Sequence, residues 1–246
     1  MFESTATYPA AYVSDNVEPA EALRLALAWV ADQSGVKPLI LMHAKKMKGN
    51  DPQVAKIIDR HGLSVESPNS SAAGQHSAPV IAIWPSDAVI EHIDSRHRRT
   101  PAAVCLIKSS RPGAQDGWIA AHQAVDLVSG GAAERPTLAD PVVEHAMRQA
   151  GNDINHNNML VTQDDKAYVV RTLQELDRSG HTFDVEPLCS WALANGWPGD
   201  EVAELRKIAI RVKAGSKFVL RDTWGPKAGA ARQWEAEVHN GAGGGA

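Results

Sequence analysis

The sequence predicts an α/β fold, in which a small layered N-terminal domain with a mostly parallel, βαβ-type sheet precedes an all-α helical bundle. Over residues 1–135, short apolar runs of the kind found in buried strands alternate with helical patterns. Over residues 136–214 the strand pattern nearly disappears and helical periodicity predominates. For residues 215–246, which end in glycine and alanine, we expect a short strand and a flexible Gly-rich tail. With 43% hydrophobic residues, the 246-residue chain is long enough to bury a substantial core.

Periodicity and capping residues predict the N-terminal elements in order. Leu23, Leu27 and Val30 recur at helical spacing and predict an amphipathic helix over 18–33. Asn50 or Asp51 and then Ser86 are N-caps of two further helices, of which the first ends at Gly62. A fourth predicted helix contains Trp118, Ala121, Val125 and Val128. Continuous apolar runs, which are typical of strands buried on both faces, lie at 38–42, 80–84 and 102–107, with a weaker run at 63–65.

Four helical patterns follow a Gly- and Ala-rich linker at 130–136 and predict the bundle. Thr162 and Asp165 have the spacing of a capping box and predict the start of the second of these helices. Residues 216–222 predict one late strand, and the final six residues predict a tail without structure.

Composition excludes several classes of function. Lys and Arg number 25 against 29 Asp and Glu, so the net charge of −4 gives no global positive field for nucleic acid or an anionic membrane. Cys105 and Cys189 are too few for a disulfide framework or a CxxC metal site, which indicates a reducing cytoplasm. The first 16 residues lack the features of a signal peptide, and no apolar run reaches the roughly 18 residues of a membrane span.

The first candidate site consists of basic loops that follow two predicted strands. In open α/β sheets, ligands bind beyond the carboxyl ends of the strands, so the loops after the strands at 38–42 and 102–107 are expected to meet there. Their cations would hold a phosphorylated ligand or a nucleic-acid backbone, although simple solvation of the lysines is the alternative. The ligand-binding residues predicted on this basis are Lys45, Lys46, Lys48, Lys108, Ser109 and Arg111.

A second basic cluster lies at 205–221, a stretch without acidic residues. The preceding turn at 195–198 would suit a helix-turn-helix. However, Asp200, Glu201 and Glu204 begin the helix that would have to approach DNA, and they would repel phosphate. The nucleic-acid contacts that this weaker hypothesis assigns are Arg206, Lys207, Arg211, Lys213 and Lys217.

Missing motifs narrow the chemistry further. The sequence contains no GxxxxGK[ST] motif, and no GxGxxG follows a predicted strand, which disfavours P-loop NTP hydrolysis and an ordinary Rossmann dinucleotide site. The first predicted strand ends in Met42 and His43 and not in carboxylates, which disfavours metal-dependent phosphoryl transfer. The sequence therefore predicts no metal site, identifies no cofactor, and contains no recognisable catalytic motif.

Three functions stay open at this point. The leading hypothesis is a binding or accessory protein that holds an anionic ligand on the strand-end loops. The second is a metal-independent enzyme that acts on an anionic substrate, with His43 or His122 as acid or base. The third is a scaffold or assembly protein that acts through its helical part, in which the segment from Trp224 to Trp234 docks onto a protein partner or a second copy of the chain.

Overall fold

The structure, a computed structural model, describes residues 8–70, 77–95, 100–111, 113–156, 160, 162–220 and 224–242. Its N-terminal part contains a six-stranded sheet whose strand pairs are all parallel. The strand order is β3-β2-β4-β5-β1-β6. The strands are β1 (Ala10–Val13), β2 (Leu39–Leu41), β3 (Val65–Glu66), β4 (Val80–Ile83), β5 (Val104–Ile107) and β6 (Val125–Asp126). The predicted α/β class with a parallel sheet is confirmed.

Helices cover both faces of this sheet. Every residue of β2, β4 and β5 is buried, as the continuous apolar runs predict for strands covered on both sides. One core cluster joins α1 (Pro19–Gln33) and α2 (Pro52–His61) to one face, and a second cluster joins α3 (Asp87–Ile93) and α4 (Ala114–Ala121) to the other.

Local sequence explains the bounds of these helices. Asp51 caps α2, since its carboxylate accepts hydrogen bonds from the backbone N–H groups of Gln53 and Val54. Gly62 ends the helix in the left-handed conformation that glycine adopts at low cost. A short 3-10 turn at Lys45–Asn50 lies between β2 and α2.

The C-terminal part of the described chain is helical. Its helices are α5 (Pro141–Asp153), α6 (Gln163–Arg178), α7 (Val185–Ala194), α8 (Gly199–Lys213) and α9 (Ala230–Ala242). A third core cluster holds them together, and Met147, Leu173 and Leu205 are among its fully buried members. In addition, α7 contacts α4 and α8 contacts α3, so the helical part packs on the sheet's α3/α4 side.

The structure corrects several predicted elements. The fourth helix is shorter than predicted, since α4 ends at Ala121 and Val125 belongs to β6. Residues 216–220 of the predicted late strand contain no strand, and 221–223 lie outside the described residues. The tail is not flexible throughout, because α9 includes residues 241 and 242; residues 243–246 are outside the described part.

Within the described residues, no helix combines the length and apolar character that a membrane crossing requires.

Candidate functional site

A crevice of about 680 Å³ opens at the carboxyl edge of the sheet. The neighbouring strands β2, β4, β5 and β1 all end there. The loop after β2 leads to α2 on one face of the sheet, and the loop after β4 leads to α3 on the other face. Because these two loops diverge, a gap remains between them. The lining comprises Asp15, His43, Met47, Trp84, Pro85, Ser86, Asp87, Lys108, Ser109, Ser110, Arg111, Gly113 and Gln115.

His43 and Ser86 meet inside this crevice although they are 43 residues apart. The Nδ1 atom of His43 lies 3.0 Å from the Oγ atom of Ser86. Ser86 occupies the N-cap position of α3, as predicted, but its side chain makes no capping hydrogen bond. The hydroxyl therefore bonds to the imidazole and not to the start of the helix.

The backbone between β4 and α3 is strained next to this pair. Trp84 has a φ of +48°, a left-handed conformation that is unfavourable for a bulky residue. Its N–H still donates to the carbonyl oxygen of Ile107 at 2.9 Å, which continues the sheet ladder by one residue. Strain of this kind is concentrated at functional sites, where the surrounding structure enforces it.

Gln115, at the start of α4, fixes the loop that follows β5. Its side chain is 2% exposed and accepts a hydrogen bond from the backbone N–H of Ser109 at 3.1 Å. Its amide group donates to the carbonyl oxygen of Ser109 at 2.8 Å and to that of Arg111. Sequence reasoning missed this residue, because an isolated glutamine in the first turn of a helix gives no signal of its own.

The charges in the crevice are of both signs. Lys108 forms an ion pair of 2.8 Å with Asp116, and Asp87 accepts a hydrogen bond of 2.9 Å from the backbone N–H of Ala114. The side chain of Arg111 makes no hydrogen bond or ion pair with any residue that the structure describes. Asp15 adds a carboxylate from the loop after β1. Arg111 thus offers hydrogen-bond donors to an anionic group, and the carboxylate of Asp15 offers an acceptor to a group that donates a hydrogen bond.

The structure brings together part of the predicted strand-end site. Lys108, Ser109 and Arg111 line the crevice, whereas the three lysines after β2 do not. Lys45 pairs with Glu66 at 2.9 Å and Lys48 pairs with Asp59, so both ion pairs lie toward the β3 edge. All three lysines lie on the 3-10 turn, which lines the crevice with Met47 while β3 and α2 supply the partners of Lys45 and Lys48. Lys46 is exposed on the same turn.

The second basic cluster is largely engaged in contacts within the chain. Arg206 bonds to Glu186 at 3.1 Å and lies 3.4 Å from Glu91, and its side chain is 14% exposed. Three of the other predicted nucleic-acid contacts are similarly engaged: Lys207 pairs with Glu204, Arg211 lies over the ring of Phe218, and Lys213 donates to the carbonyl oxygen of Phe183. Lys217 differs, because it is exposed and only its backbone carbonyl is bonded, to Arg211.

His122 lies away from the crevice. It follows α4, which places it at the amino edge of the sheet, where Nε2 lies 3.0 Å from a carboxylate oxygen of Asp94. The ring is buried between Tyr8 and Trp118. Of the two histidines predicted as acid or base, His43 lines the crevice and His122 does not.

The two tryptophans of the C-terminal segment differ in burial. Trp234 is 3% exposed and its Nε1–H donates to Gln149 at 2.8 Å, so it belongs to the helical core. Trp224 is 43% exposed and contacts Tyr168 edge to face. Docking of the whole segment onto a partner would require removal of α9 from the core.

Neither cysteine has the environment of a reactive thiol. Burial raises the pKa of Cys105, and burial raises the pKa of Cys189 to about 12 despite the nearby Arg206. Both thiols are free. Among the described residues, no three His, Cys, Asp or Glu side chains are grouped so that they would hold a metal ion.

Comparison with known proteins gives a match for the helical part. A family model described as a domain of unknown function, DUF1889, matches residues 139–235, which is less than half of the chain. The matched range extends from just before α5 into the second turn of α9. No curated protein and no solved structure matches the chain. The similarity thus concerns the helices and does not include the crevice.

Proposed function

We propose that the protein binds a small phosphorylated ligand in the crevice at the carboxyl edge of the sheet. The observation that supports this most is that the loops after β2, β4 and β5 meet around one concave space, with Arg111 free of intramolecular side-chain partners among the described residues. A volume of about 680 Å³ lies in the range of small-molecule sites, roughly 300 to 1,000 Å³.

The shape favours a small ligand over a nucleic-acid backbone. The cations of the crevice, Lys108 and Arg111, come from a single loop and line one concave space, whereas a polyanion would require a longer stripe of cations. Arg111 would hold the phosphate through paired N–H donors, and Lys108 would add charge from the same loop. Asp15 would accept a hydrogen bond from a ligand hydroxyl, so the ligand class is a phosphorylated molecule that carries hydroxyl groups.

Thermal unfolding with ribose 5-phosphate and adenosine 5′-monophosphate tests this proposal, with ribose and adenosine as uncharged controls. A ligand at about 100 times its dissociation constant stabilises the protein by about 2.7 kcal/mol, which raises the melting temperature by several degrees. Binding that requires the phosphate, and that weakens at least tenfold in Arg111→Ala, is the expected result.

The matched control is Arg232→Ala, which removes an exposed arginine from α9. Native mass spectrometry of the gently purified protein should in addition detect the ligand that copurifies. Equal shifts for phosphorylated and uncharged compounds, or equal weakening in both arginine variants, would contradict the proposal.

The contact between His43 and Ser86 favours one second candidate, a metal-independent transferase or hydrolase. If Ser86 donates to Nδ1, the imidazole has its proton on Nε2 and is able to take the hydroxyl proton as the oxygen attacks. Attack on an acyl or phosphoryl centre forms the Ser86 ester, and His43 returns the proton to the leaving oxygen or nitrogen. In a hydrolase water, and in a transferase an acceptor hydroxyl or amine, then gives its proton to His43, attacks the ester, takes up the acyl or phosphoryl group and regenerates the Ser86 hydroxyl.

A fluorophosphonate reagent tests this candidate, because it forms a stable ester with an activated serine. We expect a mass increase on the peptide that contains Ser86, and no labelling in Ser86→Ala or His43→Ala. Ser64→Ala, in the loop before β3, is the control. Absence of labelling in the wild-type protein would leave only the binding function.

We propose that residues 1–135 and 136–214 are separate domains, and that α9 belongs with the second. The family match at 139–235 supports a boundary near residue 136, because it begins just before α5 and continues into α9. Limited proteolysis should then cut between β6 and α5 and release a stable C-terminal fragment.

We also propose a cytoplasmic location, which the two free thiols favour and which cell fractionation tests.

A further inference from the structure

A groove with a cationic lining lies between α1 and α2, on the sheet face opposite α3 and α4. Its volume is about 600 Å³. The lining side chains are Arg24 from α1 and Gln53, Lys56, Ile57, Arg60 and His61 from α2. No carboxylate is among these residues, although the chain as a whole has a net charge of −4.

The cations of α2 occupy one face of the helix. Positions 53, 56, 57, 60 and 61 follow the i, i+3, i+4, i+7, i+8 pattern, while Val54 and Ile58 point into the core. Lys56 and Arg60 are one helical turn apart, and like charges at this spacing destabilise a helix. The sequence therefore places charge on this face at a cost to the helix.

Nearby carboxylates neutralise little of this charge. Glu21 pairs with Arg24 at 2.9 Å, but both side chains are more than half exposed, so water screens the pair. Asp59, the acidic residue nearest along α2, pairs with Lys48 on the 3-10 turn. Within the described chain, Lys56 and Arg60 have no ion-pair partner.

Helix stabilisation accounts for only part of the cluster. Arg60 and His61 lie in the last turn of α2, where positive charge interacts favourably with the helix dipole. Lys37 also reaches this end and donates to the carbonyl oxygen of His61 at 3.2 Å. The dipole does not explain Lys56, one turn earlier, or Arg24 on the opposite wall.

We propose that this groove binds the phosphate backbone of a nucleic acid without sequence preference. Apart from Ile57 the lining is cationic or amide, and it contains no carboxylate or hydroxyl group that would orient a small ligand as Asp15 and Ser86 could in the crevice. Arginine and lysine along an open groove match the contacts that position proteins on phosphates. The site is separate from the crevice, so it does not depend on the small-ligand function.

Fluorescence anisotropy of the full chain with a labelled single-stranded DNA of about 20 nucleotides tests the proposal. We expect binding that weakens as NaCl rises, and a Lys56→Ala/Arg60→Ala variant with at least tenfold lower affinity. Each phosphate contact to a single strand contributes about 0.7 to the slope of log K against log salt. Loss of two contacts should therefore reduce the magnitude of this slope by about 1.4. Scrambling the DNA sequence should leave affinity unchanged.

The charge-matched control is Lys227→Ala/Arg232→Ala, which removes two exposed cations from the C-terminal part. Its affinity should match the wild type, and circular dichroism should show that both double variants are folded. No anisotropy change at about 100 μM protein and low salt would overturn the proposal. Three further outcomes would overturn the proposal. They are equal losses of affinity in both double variants, full displacement of the DNA by inorganic pyrophosphate, and binding to anionic phospholipid vesicles in place of DNA.

Discussion

His181 and Asp140 connect the end of α6 to the start of α5, with Nδ1 of the imidazole 2.9 Å from Oδ2 of the carboxylate. Asp140 is also the N-cap of α5, since its other oxygen accepts from the backbone N–H of Val142 at 2.8 Å. The remaining nitrogen of His181, Nε2, lies 3.0 Å from Glu235 on α9. One imidazole therefore joins three helices. Both of its nitrogens face carboxylates, so this geometry stabilises the doubly protonated ring.

This contact predicts that the helical part loses stability above neutral pH. Burial opposes the charge on His181, but the bonds to Asp140 and Glu235 outweigh it and raise the pKa above its ordinary 6.5. The stabilisation is fully present below 6.5 and is lost as pH rises through the folded-state pKa. Burial opposes ionisation of Asp140, but His181 and the backbone N–H groups outweigh it and lower the pKa of this carboxyl group. The stabilisation that Asp140 contributes is therefore present above about 3.8 and is lost as pH falls through the lowered folded-state pKa.

Urea unfolding at pH 5.5 and pH 8.5 measures the effect. The wild type should lose about 1 to 2 kcal/mol more between these pH values than His181→Gln does. This is toward or below the low end of the roughly 1.5 to 3 kcal/mol of hydrogen bonds to charged groups, because Glu235 is half exposed to water. His239→Gln, at an exposed position of α9, should behave like the wild type. An identical pH dependence in all three proteins would show that the contact does not contribute.

Trp234→Ala should destabilise the helical core strongly. The indole is 3% exposed, packs in the same cluster as Ala231, and donates to Gln149. Replacement of a buried tryptophan by alanine leaves a cavity and costs about 3 to 5 kcal/mol. Chemical denaturation should measure this loss, whereas Trp224→Ala should cost less than about 1 kcal/mol because that ring is 43% exposed. Equal costs for the two variants would be inconsistent with α9 as part of the core.

The sequence predicts elements correctly where apolar side chains form a long run or recur at a regular spacing. It does not predict short or alanine-rich segments, whose secondary structure depends on packing against other elements. The runs at β2, β4 and β5 identified buried strands, but β1 contains two alanines and only becomes a strand between β5 and β6. For α9, Ala231, Trp234 and Val238 have helical spacing, a signal that the surrounding glycines obscured. The early end of α4 depends on Gln123, which takes a φ of +48° without a glycine to indicate it.

The site was predictable only as far as strand order allows. A parallel sheet places His43 and the Lys108 loop at the same edge, and this followed from sequence. The pairing of His43 with Ser86 requires β2 to lie beside β4 although β3 comes between them in the chain. The positions of Lys45 and Lys48 depend on partners in β3 and α2 that sequence spacing does not identify.

Gln115→Ala should weaken both the loop after β5 and ligand binding in the crevice. The substitution leaves the N–H and carbonyl groups of Ser109 without their side-chain partner, and such a loss costs about 1 to 3 kcal/mol when the groups are buried. Because the loop also positions Arg111, affinity for the phosphorylated ligand should fall. Melting temperature and ligand titration measure the two effects, with Gln163→Ala at the exposed start of α6 as the control. Normal affinity in Gln115→Ala would indicate that Arg111 does not need this loop conformation.

Gly199→Ala tests how closely the helical part and the sheet part are joined. The N–H of Gly199 donates to the carbonyl oxygen of Asp94 at 3.1 Å, where α8 begins against the end of α3. A Cβ atom at this position would lie 2.8 Å from the carbonyl oxygen of Glu91 and 3.1 Å from Cβ of Asp94. Since the first of these is backbone, the two helices would have to move apart, at a cost of about 1 to 3 kcal/mol. Gly35→Ala, with open space around it, should change stability by less than about 0.5 kcal/mol. If thermal unfolding gave Gly199→Ala the stability of the control, the close contact between α3 and α8 would not contribute to the fold.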